Sequence, residues 1–284
     1  MGLVKKAVIP AAGYGTRFLP ATKSIPKEMV PIIDKPAIQY VVEEAAKSGI
    51  EVVIIVLSRG KEAISSYFDR NPELEGILKD KGKEKELRAI IEPSELCNFI
   101  FVRQDFPKGL GHAVLCAEKA VGNETFAVLL PDDLIVSEKP CLMQMMEAMK
   151  EADGVIALQR VKENELSSYG IVGGRWIGEK TFEIKEMVEK PKPSEAPSDL
   201  AIVGRYILPP AIFKAIRETP PGRGGEIQLT DAISKLLSTH KFIGLVFEGK
   251  RFDTGTPKGF LEANVSLKSL RLFKNPWIDP GEHL

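Results

Sequence analysis

The sequence is poor in the residues that build disulfide frameworks and zinc sites. Its 284 residues include 3 cysteines and 3 histidines. The cysteines Cys97, Cys116 and Cys141 lie far apart and form no CxxC pair. An odd number of scattered thiols argues against a disulfide framework, and so few histidines argue against a zinc site. A reducing, cytoplasmic location is therefore expected.

The sequence also lacks net charge and long apolar runs. Lys plus Arg and Asp plus Glu each total 39. The chain therefore has no net positive charge that would attract nucleic acid or an anionic membrane. The longest apolar run, at residues 52–57, has the length of a strand, whereas a membrane-spanning helix needs roughly 18 residues. Pro10 interrupts the N-terminal apolar stretch, which is too short for a signal peptide. We expect a cytoplasmic protein that binds neither nucleic acid nor a membrane.

In the first half of the chain, short runs rich in valine and isoleucine alternate with longer amphipathic stretches. The runs have the length of buried strands, and the stretches between them show helical spacing. This alternation predicts right-handed βαβ crossovers and a mostly parallel sheet that helices cover on both faces. The predicted strands are 4–9, 52–57, 99–102, 126–130 and 155–158, and the predicted helices are 37–48, 61–70, 111–121 and 138–151. The charged stretch 80–88 is interpreted as a solvated helix face.

The pattern changes after about residue 160, where strand-like runs follow one another without helices between them. This predicts an antiparallel insertion or a sheet edge. We expect a single α/β domain over 1–284, with a Rossmann-like, mostly parallel mixed sheet flanked by helices and a small antiparallel insertion. The strand-like runs are 171–176, 182–188 and 201–208, a Pro-rich loop occupies 191–197, and helices are predicted at 227–238 and 257–272.

A glycine loop, Pro10-Ala-Ala-Gly-Tyr-Gly-Thr-Arg17, follows the first predicted strand. Small residues let backbone N–H groups approach a phosphate at such a position. Phe18 occupies the third glycine position of a dinucleotide fingerprint, and the Lys-Ser/Thr of a Walker A loop is missing. The loop indicates an anion or nucleotide site, and a tight turn without a ligand is an equally good interpretation.

Lysines follow this loop in Lys23-Ser-Ile-Pro-Lys27-Glu-Met-Val-Pro31. Prolines at 20, 26 and 31 make a regular helix improbable, so an extended, rigid loop is predicted. Solvated surface lysines are the commoner case. A glycine turn that supplies donors beside the full charges of Arg17 and Lys27 nevertheless suits a triphosphate.

Carboxylates stand at the ends of two predicted strands. Asp132 and Asp133 follow the apolar strand Phe126-Ala-Val-Leu-Leu, and Asp253 precedes Thr-Gly-Thr-Pro257. Open α/β sheets bind their ligands at the carboxyl ends of the strands, where these carboxylates lie. Carboxylates at such a position suit Mg²⁺, which takes one or two of them together with phosphate oxygens. Helix capping is the alternative, both for Asp133 and for Asp253.

Two further segments combine residues that suit recognition of a nucleotide and a sugar phosphate. Gln104 stands near the glycine turn at Gly109 and Gly111. An amide side chain can form hydrogen bonds with the edge of a nucleobase, and a glycine turn lets the backbone approach the same base closely. Glu189 and Lys190 place an acid next to a base at a strand end. They suit sugar hydroxyls and a phosphate, and an exposed ion pair is the alternative.

These motifs together resemble one enzyme family. The segments that carry the resemblance, in order over about residues 5–265, are AAGYGTRFLPATKSIPKEMVPIIDKPAIQYVVEEA, GLGHAVLCA, FAVLLPDDL, MVEKP, GGEIQLTDAI and RFDTG. The chain is similar to the sugar-phosphate nucleotidylyltransferase superfamily. KSIPKEMVPI, LLPDDL and GGEIQLTDAI resemble its bacterial-type UTP–glucose-1-phosphate uridylyltransferases in particular.

The resemblance implies transfer of UMP from UTP to α-D-glucose 1-phosphate, giving UDP-glucose and pyrophosphate by direct in-line attack. It implies a nucleotide-binding half at 1–160, a sugar-phosphate-binding part at 161–256, and a C-terminal helix and tail at 257–284. It also implies a homo-oligomer, dimer or tetramer, with the tail at Phe273 and Trp277 packed on a neighbour or on its own domain. The implied catalytic residues are Arg17, Lys27 and Lys190; the nucleotide-binding residues are Ala11, Ala12, Gly13, Gly15, Thr16, Glu28, Gln104 and Gly109; the sugar-phosphate-binding residues are Gly170, Glu189, Lys190 and Gly204; and the Mg²⁺ ligands are Asp132 and Asp253.

Three other functions stay open at this point. Thymidylyltransferases that use dTTP share the glycine loop. A non-catalytic sugar-nucleotide-binding protein would have lost the carboxylates or lysines, which this sequence keeps. The missing third glycine disfavours a nicotinamide oxidoreductase.

Overall fold

A computed structural model describes residues 4–269 of the chain as a mixed sheet flanked by helices, which confirms the predicted α/β class. The strands are β1 Lys6–Ala11, β2 Pro31–Ile32, β3 Lys35–Pro36, β4 Val52–Leu57, β5 Asn98–Arg103, β6 Phe126–Leu129, β7 Asp133–Val136, β8 Gly154–Arg160, β9 Gly170–Trp176, β10 Thr181–Glu189, β11 Leu200–Leu208, β12 Phe242–Val246 and β13 Lys250–Asp253. The helices are α1 Ala37–Lys47, α2 Glu62–Phe68, α3 Pro72–Asp80, α4 Glu84–Glu95, α5 Leu110–Cys116, α6 Glu118–Val121, α7 Cys141–Met149, α8 Ala211–Arg217, α9 Leu229–Leu236 and α10 Pro257–Ser269.

Nine of the strands form one sheet in the order β5-β4-β1-β6-β11-β8-β12-β10-β9. The first four are parallel, as the alternating pattern predicts. β10 is antiparallel to both of its neighbours, and β9 and β10 lie at the sheet edge. Two small antiparallel pairs, β13 with β7 and β2 with β3, lie beside the main sheet.

β11 is the strand that the sequence pattern misplaces. The pattern places it in an antiparallel insertion or a sheet edge. It is antiparallel to both of its neighbours, as predicted, but these are β6 and β8, and β11 lies in the middle of the sheet. All nine of its residues are buried. A strand buried on both faces has to lie inside a sheet, because an edge strand exposes backbone to water.

Helices cover both faces of the sheet and give it two apolar cores. Successive residues of β1 point to opposite faces: Val8 belongs to one core, and Ala7 and Ile9 belong to the other. The first core includes the stacked rings of Phe126 and Phe213, whose centroids are 5.1 Å apart. Both faces of the sheet are therefore packed against a core, which fixes the positions of the carboxyl ends of its strands.

Several predicted elements differ in detail from the structure. The loop after β1 is not extended: it forms three single 3-10 turns, at Thr16–Phe18, Ala21–Lys23 and Lys27–Met29. Pro20 and Pro26 immediately precede two of these turns, because a φ near −65° suits the start of a tight helical turn. The predicted helix 111–121 is divided into α5 and α6 at Ala117.

The charged stretch 80–88 joins the end of α3 to the start of α4, and it is largely exposed as predicted. Among the described residues, no helix is long and apolar enough to span a membrane. The predicted C-terminal tail, with Phe273 and Trp277, lies outside the described residues.

Candidate functional site

Two adjoining cavities open at the carboxyl ends of the central strands. The first, of about 270 Å³, lies beside the glycine loop, and the second, of about 470 Å³, lies beside β9, β10 and β11. They form one continuous cleft because they share Leu110, Leu130, Asp132 and Glu226 in their walls. Such a position outside strand ends is where open α/β sheets bind ligands.

Most of the site residues predicted from the sequence line this cleft. Ala11, Gly15 and Thr16 do not line either cavity. Ala11 ends β1 with its side chain fully buried in the core. Gly15 has a φ of 66°, and a Cβ atom there would lie 3.2 Å from Cβ of Lys27 and 3.3 Å from Cγ2 of Thr22. The first cavity is lined by Ala12, Gly13, Lys27, Glu28, Gln104, Gly109 and Asp132, and the second by Arg17, Asp132, Gly170, Glu189, Lys190, Gly204 and Asp253.

Lys27 and Asp132 form an ion pair where the two cavities meet. The Nζ atom of Lys27 lies 2.6 Å from Oδ2 of Asp132. Burial alone would raise the pKa of Asp132, but the charge and hydrogen bond of Lys27 hold it below its usual value. Burial likewise opposes the charge of Lys27, yet Asp132 and Glu28 raise its pKa. Both groups are therefore charged at neutral pH.

Asp132 and Asp253 converge on Gly255. A Cβ atom at Gly255 would lie 2.8 Å from Oδ2 of Asp132 and 3.1 Å from Oδ1 of Asp253. The described residues contain no cluster of three or more His, Cys, Asp or Glu side chains suited to a metal. Two carboxylates beside a side-chain-free position nevertheless fit Mg²⁺, which completes its shell with phosphate oxygens and water. Helix α10 does not need Asp253 as its cap, because the Thr256 hydroxyl accepts a hydrogen bond from the Gly259 N–H at 3.2 Å.

Asp133 does not cap a helix, because the strand β7 begins at this residue. Its buried carboxylate accepts hydrogen bonds from Arg251 at 2.5 Å and from the Gly204 N–H at 2.7 Å. Burial raises the pKa of Asp133, and the neighbouring Asp132 adds to this, although Arg251 opposes it. A Cβ at Gly204 would lie 2.5 Å from Oδ2 of Asp133, so glycine is required for this contact.

Arg205 holds the loop that carries both aspartates. Its side chain in β11 is fully buried and pairs with Glu44 at 2.8 Å. It also donates to the carbonyl oxygens of Leu130 at 3.2 Å and Asp133 at 2.7 Å. Sequence reasoning missed this residue, although a single arginine in the otherwise apolar run IVGRYIL was a usable signal.

Gln104 lies in the wall of the first cavity and is 5% exposed. Its Nε2 atom donates to the Gly109 carbonyl at 3.2 Å and lies 2.9 Å from Nδ1 of His112. Gly109 has a φ of 93°, and a Cβ there would lie 2.7 Å from Cβ of Glu226. The turn can therefore carry no side chain at Gly109.

Glu28 forms a buried ion pair with Lys61, a second residue that sequence reasoning missed. Glu28 is 2% and Lys61 6% exposed, and Nζ of Lys61 lies 2.6 Å from Oε2 of Glu28. Burial raises the pKa of Glu28 and lowers that of Lys61, while each partner opposes the shift of the other. The second oxygen of Glu28, Oε1, has no hydrogen-bond partner among the described residues.

Glu189 and Lys190 stand in the wall of the second cavity. Nζ of Lys190 lies 3.3 Å from Oε1 of Glu189, so the ion pair considered from the sequence is present. Oε2 of Glu189 accepts a hydrogen bond from Thr230 at 2.8 Å. Lys190 has a φ of 47°, a left-handed conformation that is costly for a residue with a side chain. Gly170 leaves room for this pair, because a Cβ there would lie 3.1 Å from Oε2 of Glu189.

Comparison with known proteins finds related sequences and the same fold. The nucleotidyl transferase family matches residues 6–269. The chain is 50% identical over 266 residues to a UTP–glucose-1-phosphate uridylyltransferase of Bacillus subtilis (strain 168), which covers 93% of this chain and 91% of that protein. A UDP-glucose pyrophosphorylase solved in complex with UDP-glucose has a TM-score of 0.84 at 46% identity, covering 94% of this chain and 100% of that one. A UTP-bound UGPase from Acinetobacter baumannii has a TM-score of 0.87 at 43% identity, covering 95% of each chain.

Proposed function

The chain belongs to the nucleotidyl transferase family and to its UTP–glucose-1-phosphate uridylyltransferases, and on that premise we propose that it transfers UMP from UTP to α-D-glucose 1-phosphate. The products are UDP-glucose and pyrophosphate. The similarity to these relatives confirms the family resemblance that the motifs indicated, and it confirms the enzyme class.

One observation carries the proposal: two cavities meet at Asp132, the ion-pair partner of Lys27, and each cavity has cationic side chains in its wall. Lys27 lines the first cavity, and Arg17 and Lys190 line the second. Transfer between two anionic substrates needs adjoining sites with positive charge on both sides. Related solved proteins were captured with UTP and with UDP-glucose.

The reaction needs no general base. A phosphate oxygen of glucose 1-phosphate, already anionic at pH 7, attacks the α-phosphorus of UTP, and the bond from that phosphorus to the β-phosphate oxygen breaks as pyrophosphate leaves. The task of Arg17, Lys27 and Lys190 is to offset repulsion between the two anions. Two unit charges 4 Å apart interact by about 4 kcal/mol at an effective dielectric constant of 20, so one such lysine is worth orders of magnitude in rate.

Magnesium is part of the proposal. Asp132 and Asp253 would hold Mg²⁺, because their carboxylates converge beside Gly255. When bound, the ion supplies charge neutralisation at the phosphates.

In the remaining assignments, Ala12 and Gly13 hold the nucleotide through backbone groups in the wall of the first cavity. Ala11, Gly15 and Thr16 line neither cavity, and we assign them to the nucleotide only through backbone groups of the same loop. Glu28, Gln104 and Gly109 line the uridine pocket, and Gly170, Glu189 and Gly204 bind glucose. The lining of the two cavities supports a nucleotide-binding half at 1–160 and a sugar-phosphate-binding part at 161–256, with 257–284 as the C-terminal helix and tail. We place this enzyme in the cytoplasm as a homo-oligomer.

Pyrophosphate release from nucleotide plus glucose 1-phosphate tests the function. UTP, dTTP, CTP, ATP and GTP are compared with and without Mg²⁺. We expect strong Mg²⁺-dependent release with UTP. Release mainly with dTTP would move the protein to the thymidylyl branch, and no release with any nucleotide would favour a non-catalytic binding protein. Lys27→Met should lower kcat by about 100-fold, whereas Lys23→Met, on the exposed part of the same loop, should not.

A further inference from the structure

The amide of Gln104 has a defined orientation. Its Nε2 atom lies 3.2 Å from the Gly109 carbonyl oxygen, and a carbonyl oxygen only accepts hydrogen bonds. The atom facing Gly109 must therefore be the NH₂ group of the amide. The same NH₂ group lies 2.9 Å from Nδ1 of His112, so this ring nitrogen accepts the second hydrogen and the imidazole carries its proton on Nε2.

This arrangement leaves one polar atom of Gln104 for a ligand. Both amide hydrogens are used within the protein, and no described residue donates a hydrogen bond to its Oε1 atom. Gln104 is 5% exposed and lines the first cavity. Of the polar atoms of this side chain, the acceptor Oε1 is therefore the one that is left for a ligand in that cavity.

The walls around this acceptor suit a flat heteroaromatic ring. Ala12, Pro107, Leu110 and Ala113 supply apolar surface to the same cavity. Among pyrimidines, uracil presents an N3–H donor, whereas cytosine presents a lone pair at N3. Cytosine still has a donor in its 4-amino group, so an acceptor discriminates only when it lies opposite N3, and there it favours a 2,4-dioxopyrimidine over cytosine.

We propose that His112 is a positioning residue that selects the base: by accepting from Gln104 it keeps Oε1 of the amide opposite N3 of the nucleobase, and so favours UTP over CTP. His112 itself lines neither cavity, so it acts through Gln104. The proposal rests on the proposed function, because it requires that the nucleotide occupies the first cavity.

The surroundings of His112 keep its imidazole neutral. Burial lowers the pKa of His112, the nearby charge of Lys108 lowers it further, and Asp105 opposes them. The Cys116 thiol lies 3.9 Å from the same Nδ1 atom. At neutral pH the ring therefore stays an acceptor toward Gln104.

Two variants of nearly equal shape test the role of His112. In His112→Asn the Oδ1 atom can take the place of Nδ1 as acceptor, whereas His112→Leu has the same branched shape without one. The readout is the ratio of kcat/KM for UTP to kcat/KM for CTP. We expect His112→Leu to lower this ratio about fivefold, the value of one hydrogen bond, and His112→Asn to keep it within twofold of the unsubstituted enzyme.

The results distinguish a failure of the proposed role of His112 from a failure of the proposed function. If the unsubstituted enzyme prefers UTP and His112→Leu keeps that preference, the role of His112 is overturned and the proposed function stands. Loss of selectivity in both variants would also overturn it, because packing alone would then explain the effect. Inactivity of the unsubstituted enzyme with UTP contradicts the proposed function instead.

NMR of ¹⁵N-histidine-labelled protein at pH 8 keeps the inference testable if His112→Leu does not fold or the enzyme is inactive. Of the three histidine signals, the one absent from His112→Asn belongs to His112. We expect the Nε2–H tautomer. An Nδ1–H tautomer would contradict the proposal, because the ring would then have no acceptor for Gln104.

Discussion

At the residue scale, the pair of Lys27 and Asp132 links stability to chemistry. The two side chains lie 2.6 Å apart at the junction of the cavities, and each is less than a third exposed. A half-buried carboxylate without its cation would hold a proton to higher pH. The same charges that we assign to catalysis therefore also contribute to folding.

Lys27→Met should reverse the sign of the pH dependence that the ionisation of Asp132 contributes to the free energy of unfolding. In the unsubstituted protein the pKa of Asp132 is depressed, so its stabilising contribution is present above the unfolded pKa of about 3.9 and is lost as pH falls through the lower folded value. Without Lys27, burial raises that pKa, and stability should fall as pH rises above about 4. Urea unfolding from pH 4 to 7 measures this.

We expect Lys27→Met to be less stable than the unsubstituted protein by about 2 kcal/mol at pH 7, with a smaller difference at pH 4. Lys23→Met is the matched control on the same loop and should follow the unsubstituted protein throughout. A constant difference between pH 4 and 7 would contradict the role given to Asp132.

Lys190→Ala should chiefly impair the use of glucose 1-phosphate. The lysine lies in the wall of the second cavity beside Glu189, so its removal should raise the KM for glucose 1-phosphate by about tenfold and leave the KM for UTP within about threefold. Lys192, 79% exposed and paired with Glu195, is the matched control, and Lys192→Ala should change neither value. Equal effects on both KM values would refute the assignment of Lys190.

At the scale of elements, the start of α5 is bound to the segment that precedes α9. The Gly111 N–H donates to the Ile227 carbonyl at 2.9 Å, and the Ile227 N–H donates to the Lys108 carbonyl at 2.8 Å. The neighbouring Glu226 lines both cavities. The packing of these two segments therefore sets the width of the cleft.

Gly111→Ala should disturb this junction. A Cβ at Gly111 would lie 2.8 Å from the Ile227 carbonyl oxygen and 3.0 Å from its Cγ2 atom. We expect a loss of about 2 kcal/mol in the free energy of unfolding, as for other overpacked sites, and about a tenfold loss in kcat/KM because Glu226 has to move.

Gly76→Ala is the control for this substitution. Gly76 lies in the exposed helix α3, and an added Cβ there would meet nothing within 4 Å. Helix propensity should then stabilise the protein by up to about 1 kcal/mol, with activity unchanged. Unaltered kinetics in Gly111→Ala would show that the cleft does not depend on this contact.

At the scale of the whole molecule, the cleft joins the two parts of the chain. The first cavity is built mainly from residues before 133, the second mainly from residues after 167, and Glu226 and Asp132 belong to both. A nucleotide bound in the cleft therefore touches both parts of the fold and should stabilise them together.

UTP with Mg²⁺ should raise the melting temperature. At 100 times its Kd a ligand adds about 2.7 kcal/mol, which corresponds to roughly 5–10 °C for a domain of this size. EDTA should remove most of the effect, because Asp132 and Asp253 would then lack the cation. Differential scanning fluorimetry measures the shift, and an equal shift with EDTA would contradict the metal assignment.

The sequence by itself determined the features that depend on neighbours in the chain. Strand and helix periodicity identified the α/β class and most elements of the first half, because burial on a sheet or helix face repeats every few residues. Most of the residues assigned to the site from motifs line one cleft, because glycine turns and strand-end carboxylates follow their strands directly.

The tertiary structure alone decided which distant residues meet. Lys27 and Asp132 are 105 positions apart, and Arg205 and Glu44 are 161 apart. The position of β11 between β6 and β8 and the buried pairing of Glu28 with Lys61 likewise depend on residues that are distant in the chain. Pairing of buried charges depends on which strands become neighbours, and that order follows from packing the whole chain around two cores.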